Sequence, residues 1–154
     1  MEKKHYYKGL DENLRGLNSY QYEVGKEYSA DTDNKFHWLH FAEKVSGAFP
    51  YGPRIVEAEP VTKVNRYNAA DLNAEKIRIV RELSADEVVS RLFAEQYPLY
   101  LMDKIRPSYA QLLRHKDSIK RCDHRAILHW DWLTPDQKCV LLPKSWERYI
   151  RAAE

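Results

Sequence analysis

The apolar pattern of this 154-residue chain changes period once, and that change limits the fold more than any other feature. Up to about residue 83 the apolar residues alternate or cluster as strands do. Beyond that point they recur at three- and four-residue spacing, as on one side of a helix. A chain that writes strands first and helices second points to an α+β fold, because parallel βαβ units need the two interleaved. The expectation is an N-terminal antiparallel β-sheet module of about five strands over residues 1–83, followed by four or five short C-terminal helices over residues 84–154, together one compact unit.

The strand signals fall at His5–Leu10, Tyr20–Val24, Phe36–Phe41, Arg54–Glu59 and Lys76–Leu83, the last with strict alternation. Gly25-Lys26 is expected to turn Tyr20–Val24 back on Glu27–Ala30 as a hairpin, after which Asp31–Asn34 forms a turn. Ala42–Phe49 predicts about two helical turns, ended by Pro50-Tyr51-Gly52-Pro53, and polar Asn65–Ala74 predicts a loop. Ser84-Ala85-Asp86-Glu87 is a capping box, so a helix runs from Ala85 to about Tyr97, with Val88, Leu92 and Phe93 inward. Further helices are expected after Pro107-Ser108 (Leu112, Leu113 and Ile119 inward), at Ala126–Trp132, after Thr134-Pro135, and at Ser145–Ala153 with Trp146, Tyr149 and Ile150 on one side.

No apolar run approaches the ~18 residues of a membrane span, and the start has no apolar segment of a signal peptide. The expected place is therefore the cytoplasm, away from any membrane. Cys122 and Cys139 are too few for a disulfide scaffold and are expected as thiols, one or both buried. Net charge is +2, but Lys104 to Arg125 holds seven cations against two acids, a basic stretch that could face an acidic partner or a phosphate backbone.

The order Tyr7-Lys8-Gly9-Leu10, then Tyr20 to Tyr28, then Phe36 to Phe41, then Ile55 to Glu59, then Lys76 to Leu83 resembles an uncharacterised domain of phage and prophage proteins. The resemblance spans about residues 6–90. Lys35 stands where that pattern has glycine, and Phe41-Ala42 where it has cysteine. It implies a mobile-element accessory protein of bacterial hosts and no particular reaction.

Three chemistries find part of their residue sets in the chain. Arginine-type ADP-ribosyltransferases carry Arg-Gly, Ser-Thr-Ser and Glu-x-Glu in order. Here Lys8-Gly9 and Glu57-Ala58-Glu59 keep that order, but lysine lacks the planar fork and the serine element is missing. A zinc site would have to draw on His115, Cys122, His124, His129 and Cys139, whose spacing suits no ordinary knuckle. His37 and His40, three apart on an expected strand, would point to opposite faces. Nucleic acid could be tracked by Arg114, Lys120, Arg121 and Arg125 with Tyr109 stacking a base.

With no complete catalytic set, no catalytic residue, metal or cofactor is expected. The expected function is a small accessory protein that binds a host protein or ribonucleoprotein, as inhibitors of bacterial defence complexes do. The alternatives are the NAD-dependent transferase and a nucleic-acid-binding module. The expected contacts are Tyr51, Tyr97, Tyr100, Arg114, Lys120, Arg121, Arg125 and Trp130, since aromatic and arginine side chains dominate interface energetics.

Overall fold

The long alternating runs at Arg54–Glu59 and Lys76–Leu83 become paired strands. The computed structural model describes residues 3–68 and 71–153, and the chain divides into two units, Met1–Glu95 and Gln96–Glu154. Among the described residues the first holds seven strands: β1 Tyr6–Leu10, β2 Glu27–Ser29, β3 Leu39–Phe41, β4 Arg54–Pro60, β5 Asn65–Arg66, β6 Leu72–Ala74 and β7 Lys76–Glu82. They form two antiparallel sheets, one in the order β1-β4-β7-β2 and a smaller one in the order β3-β6-β5. Short helices follow the strands, so the fold is α+β.

Between the sheets lies a core of Leu10, Tyr22, Leu39, Phe41, Val56, Ala58, Leu72, Ala74, Ile77 and Ile79. β1 and β4 pair Tyr7 with Glu57 and Lys8 with Val56. Directly paired residues share a sheet face, so Lys8 lies on the inter-sheet side with Val56, and Tyr7 lies on the other with Glu57. Over that other face come helix α1 (Val45–Ala48), a 3-10 turn at Phe49–Tyr51 and helix α2 (Ala85–Ala94), whose Arg91 guanidinium lies 5.9 Å from the Tyr7 ring. The contact between α1 and β1 is close: a Cβ at Gly9 would stand 2.0 Å from the Ala48 carbonyl oxygen, so only glycine fits there.

Several expectations are corrected. Tyr20–Val24 is not a strand: Tyr22 turns into the core, and the rings of Tyr20, Tyr22 and Tyr28 pack on one another at 4.9–5.9 Å. β2 therefore pairs with β7 instead of closing a hairpin. Phe36 and His37 sit in a 3-10 turn capped by the Asn34 side chain, leaving a strand of three residues at Leu39–Phe41. Ala42–Phe49 gives one α-helical turn before the 3-10 turn. The expected loop at Asn65–Ala74 carries β5 and β6, with residues 69–70 outside the described residues.

The second unit is built from short turns of helix: α3 Tyr109–Arg114, α4 His124–His129, α5 Pro135–Leu141 and α6 Glu147–Ala152, linked by 3-10 segments. Ser108 with Gln111 and Thr134 with Gln137 form capping boxes, and Pro135 occupies the first helical position. Leu99, Met102, Leu112, Ile127, Trp130, Leu141 and Ile150 are buried, and the buried carboxylate of Asp123 accepts from the amides of Leu99 and Lys120. Leu113 is exposed and Ile119 only partly buried, because α3 stops at Arg114 and turns just Leu112 inward. Cys122 is exposed and Cys139 partly buried, so neither thiol is in a core. Of the last helix, Ile150 packs inside while Tyr149 is exposed.

Candidate functional site

A lysine on the apolar parity of a strand is the local feature from which the site grows. Tyr6, Lys8 and Leu10 alternate along β1. Leu10 belongs to the inter-sheet core, and Tyr6 packs against it with its ring 5.1 Å from Phe41. Lys8 lies between them, and its ammonium donates to the His40 carbonyl oxygen at 2.7 Å and lies 5.2 Å from the Tyr22 ring. No carboxylate of the described residues pairs with it. Burial disfavours the charged form and pushes the ammonium down to about 8.

Lys8 opens on a cleft of about 190 Å³. Its floor is Tyr7, Lys8 and Gly9 of β1 with Phe41 and Ala42, joined by reciprocal backbone bonds between Tyr7 and Ala42 of 2.7–2.8 Å. Gly47 and Ala48 of α1 close one side, and Gly16 and Leu17 another. The rim is aromatic: Tyr51, Tyr67 and the His40 imidazole, the last with its ring 5.6 Å from that of Tyr67. Phe36 extends this row, 5.4 Å edge-on to Tyr67. Leu17, 68% exposed, adds an apolar side chain that its own fold leaves uncovered.

Asp71 brings the one carboxylate among the lining residues. Its backbone amide donates to Asn68 Oδ1 at 2.9 Å, while Asn68 Nδ2 donates to its Oδ2 at 3.1 Å. The Tyr51 hydroxyl donates to Asp71 Oδ1 at 3.4 Å, and burial together with that carboxylate holds the phenol above its ordinary value. The cleft thus offers a largely desolvated ammonium, flat rings, and a phenol–carboxylate pair.

Tyr51 is the one expected contact residue at this cleft. Tyr97, Tyr100, Arg114, Lys120, Arg121, Arg125 and Trp130 all belong to the second unit. Tyr100, Arg114, Lys120, Arg121 and Arg125 are exposed, and Tyr97 is half-buried. Trp130 is 4% exposed, stacked on Trp132 with its indole donating to Asp103, so it serves the core and offers little to a partner. Glu57 and Glu59 lie on the β4 face turned away from Val56 and Lys8. Burial opposes ionisation of Glu57, but hydrogen bonds from His5 and Arg81 outweigh it and hold the carboxyl below its usual range. Glu59 pairs with Lys3 at 3.1 Å. Among the described residues no group of three or more His, Cys, Asp or Glu is placed to hold a metal, the His115–Cys139 set included.

The sequence carries no signal that places Leu17, Tyr67 and Asp71 in one cleft, since loops and three-residue strands bring them together, and His40 stands out in it only as half of a poor metal pair. Lys8 did carry a signal: a charged residue on the inward parity of an otherwise apolar strand.

A family model described as a domain of unknown function, DUF7666, matches residues 4–91, more than half of the chain, and that span contains every residue of the cleft. No curated protein and no solved structure matches.

Proposed function

The chain belongs to the DUF7666 family, and we propose that the family unit is a ligand-binding module whose cleft holds a small planar molecule beside Lys8. The observation that carries this is a largely buried lysine ammonium, with no carboxylate partner among the described residues, in the lining of a cleft that also holds Tyr51, Tyr67 and His40. A fold gains nothing from such an arrangement: an unpaired buried cation costs free energy, and rings left in water are unsatisfied apolar surface. Both are relieved by an occupant that stacks on Tyr67 and presents an oxygen to Lys8. Clefts of mixed apolar wall and few convergent polar groups are where small molecules bind.

Saturation-transfer NMR with benzoate, benzaldehyde, nicotinamide and NAD tests this reading. At least one aromatic carbonyl compound is expected to bind, with Tyr67→Ala and Lys8→Met each weakening it tenfold or more. Absence of binding by all four would remove the proposal. Transfer of ADP-ribose draws no support from β4, whose Glu57 and Glu59 face away from Lys8 and are already engaged with cations.

A second reading is favoured by the exposed Tyr100, Arg114, Lys120, Arg121 and Arg125 of the second unit. Together with the phage-like motif order, they support an accessory protein that docks on a host macromolecule, such as a defence complex. Binding to a nucleic-acid component would weaken steeply with salt and be lost on reversing Arg121 and Arg125 to glutamate. Binding of a protein that is insensitive to salt and lost in Tyr100→Ala would instead favour an aromatic contact at Tyr100.

A further inference from the structure

We infer that Lys8 is a reactive amine that condenses with the carbonyl carbon of an aldehyde or α-keto ligand seated in the cleft, forming an imine; this rests on the reading of the cleft as a ligand site. Three features of place support it. Lys8 lines the cleft, as does His40, whose carbonyl oxygen its ammonium reaches at 2.7 Å, so the side chain borders the space a ligand would fill. Its ammonium is held by a single carbonyl oxygen, that of His40 at 2.7 Å, and by no carboxylate of the described residues that would lock it in the charged form. Tyr51 and Asp71, a proton donor and acceptor already hydrogen-bonded to one another at 3.4 Å, line the same cleft.

The amine must be neutral to attack. Desolvation that brings Lys8 down to about 8 leaves roughly a quarter of it as free amine at pH 7.5, where an ordinary lysine offers about one part in a thousand. The step balances without a further reagent. The Nζ lone pair forms the C–N bond as the carbonyl π pair moves to oxygen. One nitrogen proton passes to that oxygen, and a second proton leaves nitrogen as the hydroxyl departs as water, giving C=N. The Tyr51 hydroxyl and the Asp71 carboxylate are the groups in the cleft that can supply and take those protons.

The alternative is a lysine that merely ties β1 to β3 through the His40 carbonyl. The full chain, with its twelve other lysines as internal controls, separates the two. Limiting benzaldehyde with cyanoborohydride at pH 7.5 reduces any imine to a stable benzylamine, which peptide mass spectrometry locates. Lys8 is expected to carry at least tenfold more adduct than the mean of the other lysines, and the adduct is expected to fall severalfold in Asp71→Asn. Label spread over surface lysines with Lys8 unmodified would overturn the inference. Benzyl alcohol, which matches benzaldehyde in shape and cannot form an imine, tells the two failures apart. If it binds, and Tyr67→Ala abolishes that binding, while Lys8 stays unlabelled, the covalent step falls and the ligand site stands. If it neither binds nor Lys8 labels, both fall.

Discussion

At the scale of single residues, the chain places a costly side chain, a buried ammonium, where the cleft is. Lys8 interrupts the apolar parity of Tyr6 and Leu10, and a hydrophobic residue there would extend the inter-sheet core. Lys8→Met should therefore raise stability at pH 7, by up to about 3 kcal/mol for a displacement from 10.5 to about 8, trimmed by the solvent contact that the side chain keeps. The sign with pH follows from proton counts. Well below pH 8 both folded and unfolded Lys8 are protonated and the burial penalty is full. Between about 8 and 10.5 the unfolded chain holds the proton that the folded one has shed, so wild-type stability rises with pH relative to the variant. Urea midpoints of the two proteins at pH 7 and pH 9.5 check this: the gap should shrink at the higher pH. A constant gap would mean that the ammonium is solvated. The lysine's parity was readable in the sequence. Its neighbours Tyr67 and Asp71 were not, because spacing along a chain does not tell which loop returns to which strand.

Elements were legible in proportion to how much of their stabilisation is local. The box Ser84-Ala85-Asp86-Glu87 specifies its own hydrogen bonds, and the structure forms both: the Glu87 amide donates to Ser84 Oγ and the Ser84 amide to Glu87 Oε1, each 3.1 Å. Thr134-Pro135 works in the same way for α5. Strands β4 and β7, seven residues each, announce themselves by alternation. Tyr20–Val24 alternates equally well, yet its tyrosines find one another, and ring packing there replaces a backbone ladder. β5 and β6, of two and three residues, are too short for any period to show. The α2 cap also reaches back into the sheet, since Arg81 of β7 makes a two-pronged bond to the Glu87 carboxylate, which with the Ser84 amide holds that carboxyl down at about 2. Ser84→Ala should cost about 1 kcal/mol, read as a lower urea midpoint at unchanged slope, and Ser84→Asp should restore most of it. No loss in the alanine variant would mean that the tertiary contacts of α2, and not its cap, fix where the helix begins.

For the molecule as a whole, the family span and the first structural unit nearly coincide: residues 4–91 against Met1–Glu95. That unit closes both sheets, contains the inter-sheet core and ties α2 back to α1 through Glu95, whose carboxylate accepts from the Ser46 amide at 2.7 Å. The change of period near residue 83 marks where strands end, but not where this unit ends, because α2 is amphipathic and its buried residues Val88, Val89 and Leu92 complete the packing of the strand-rich half. A fragment of residues 1–95 should consequently fold alone. It keeps one of the four tryptophans, Trp38, whose indole donates to the Thr32 carbonyl at 3.0 Å and so reports on the native turn beside β3. Urea unfolding followed at Trp38 is expected to be a single cooperative transition with a slope scaled to about 95 residues, and benzyl alcohol should shift it upward by binding the native state. A fragment ending at residue 83 lacks the apolar face of α2 and should lose that cooperativity. If both fragments behave alike, α2 is an appendage, and the strand-to-helix switch in the sequence is the true boundary.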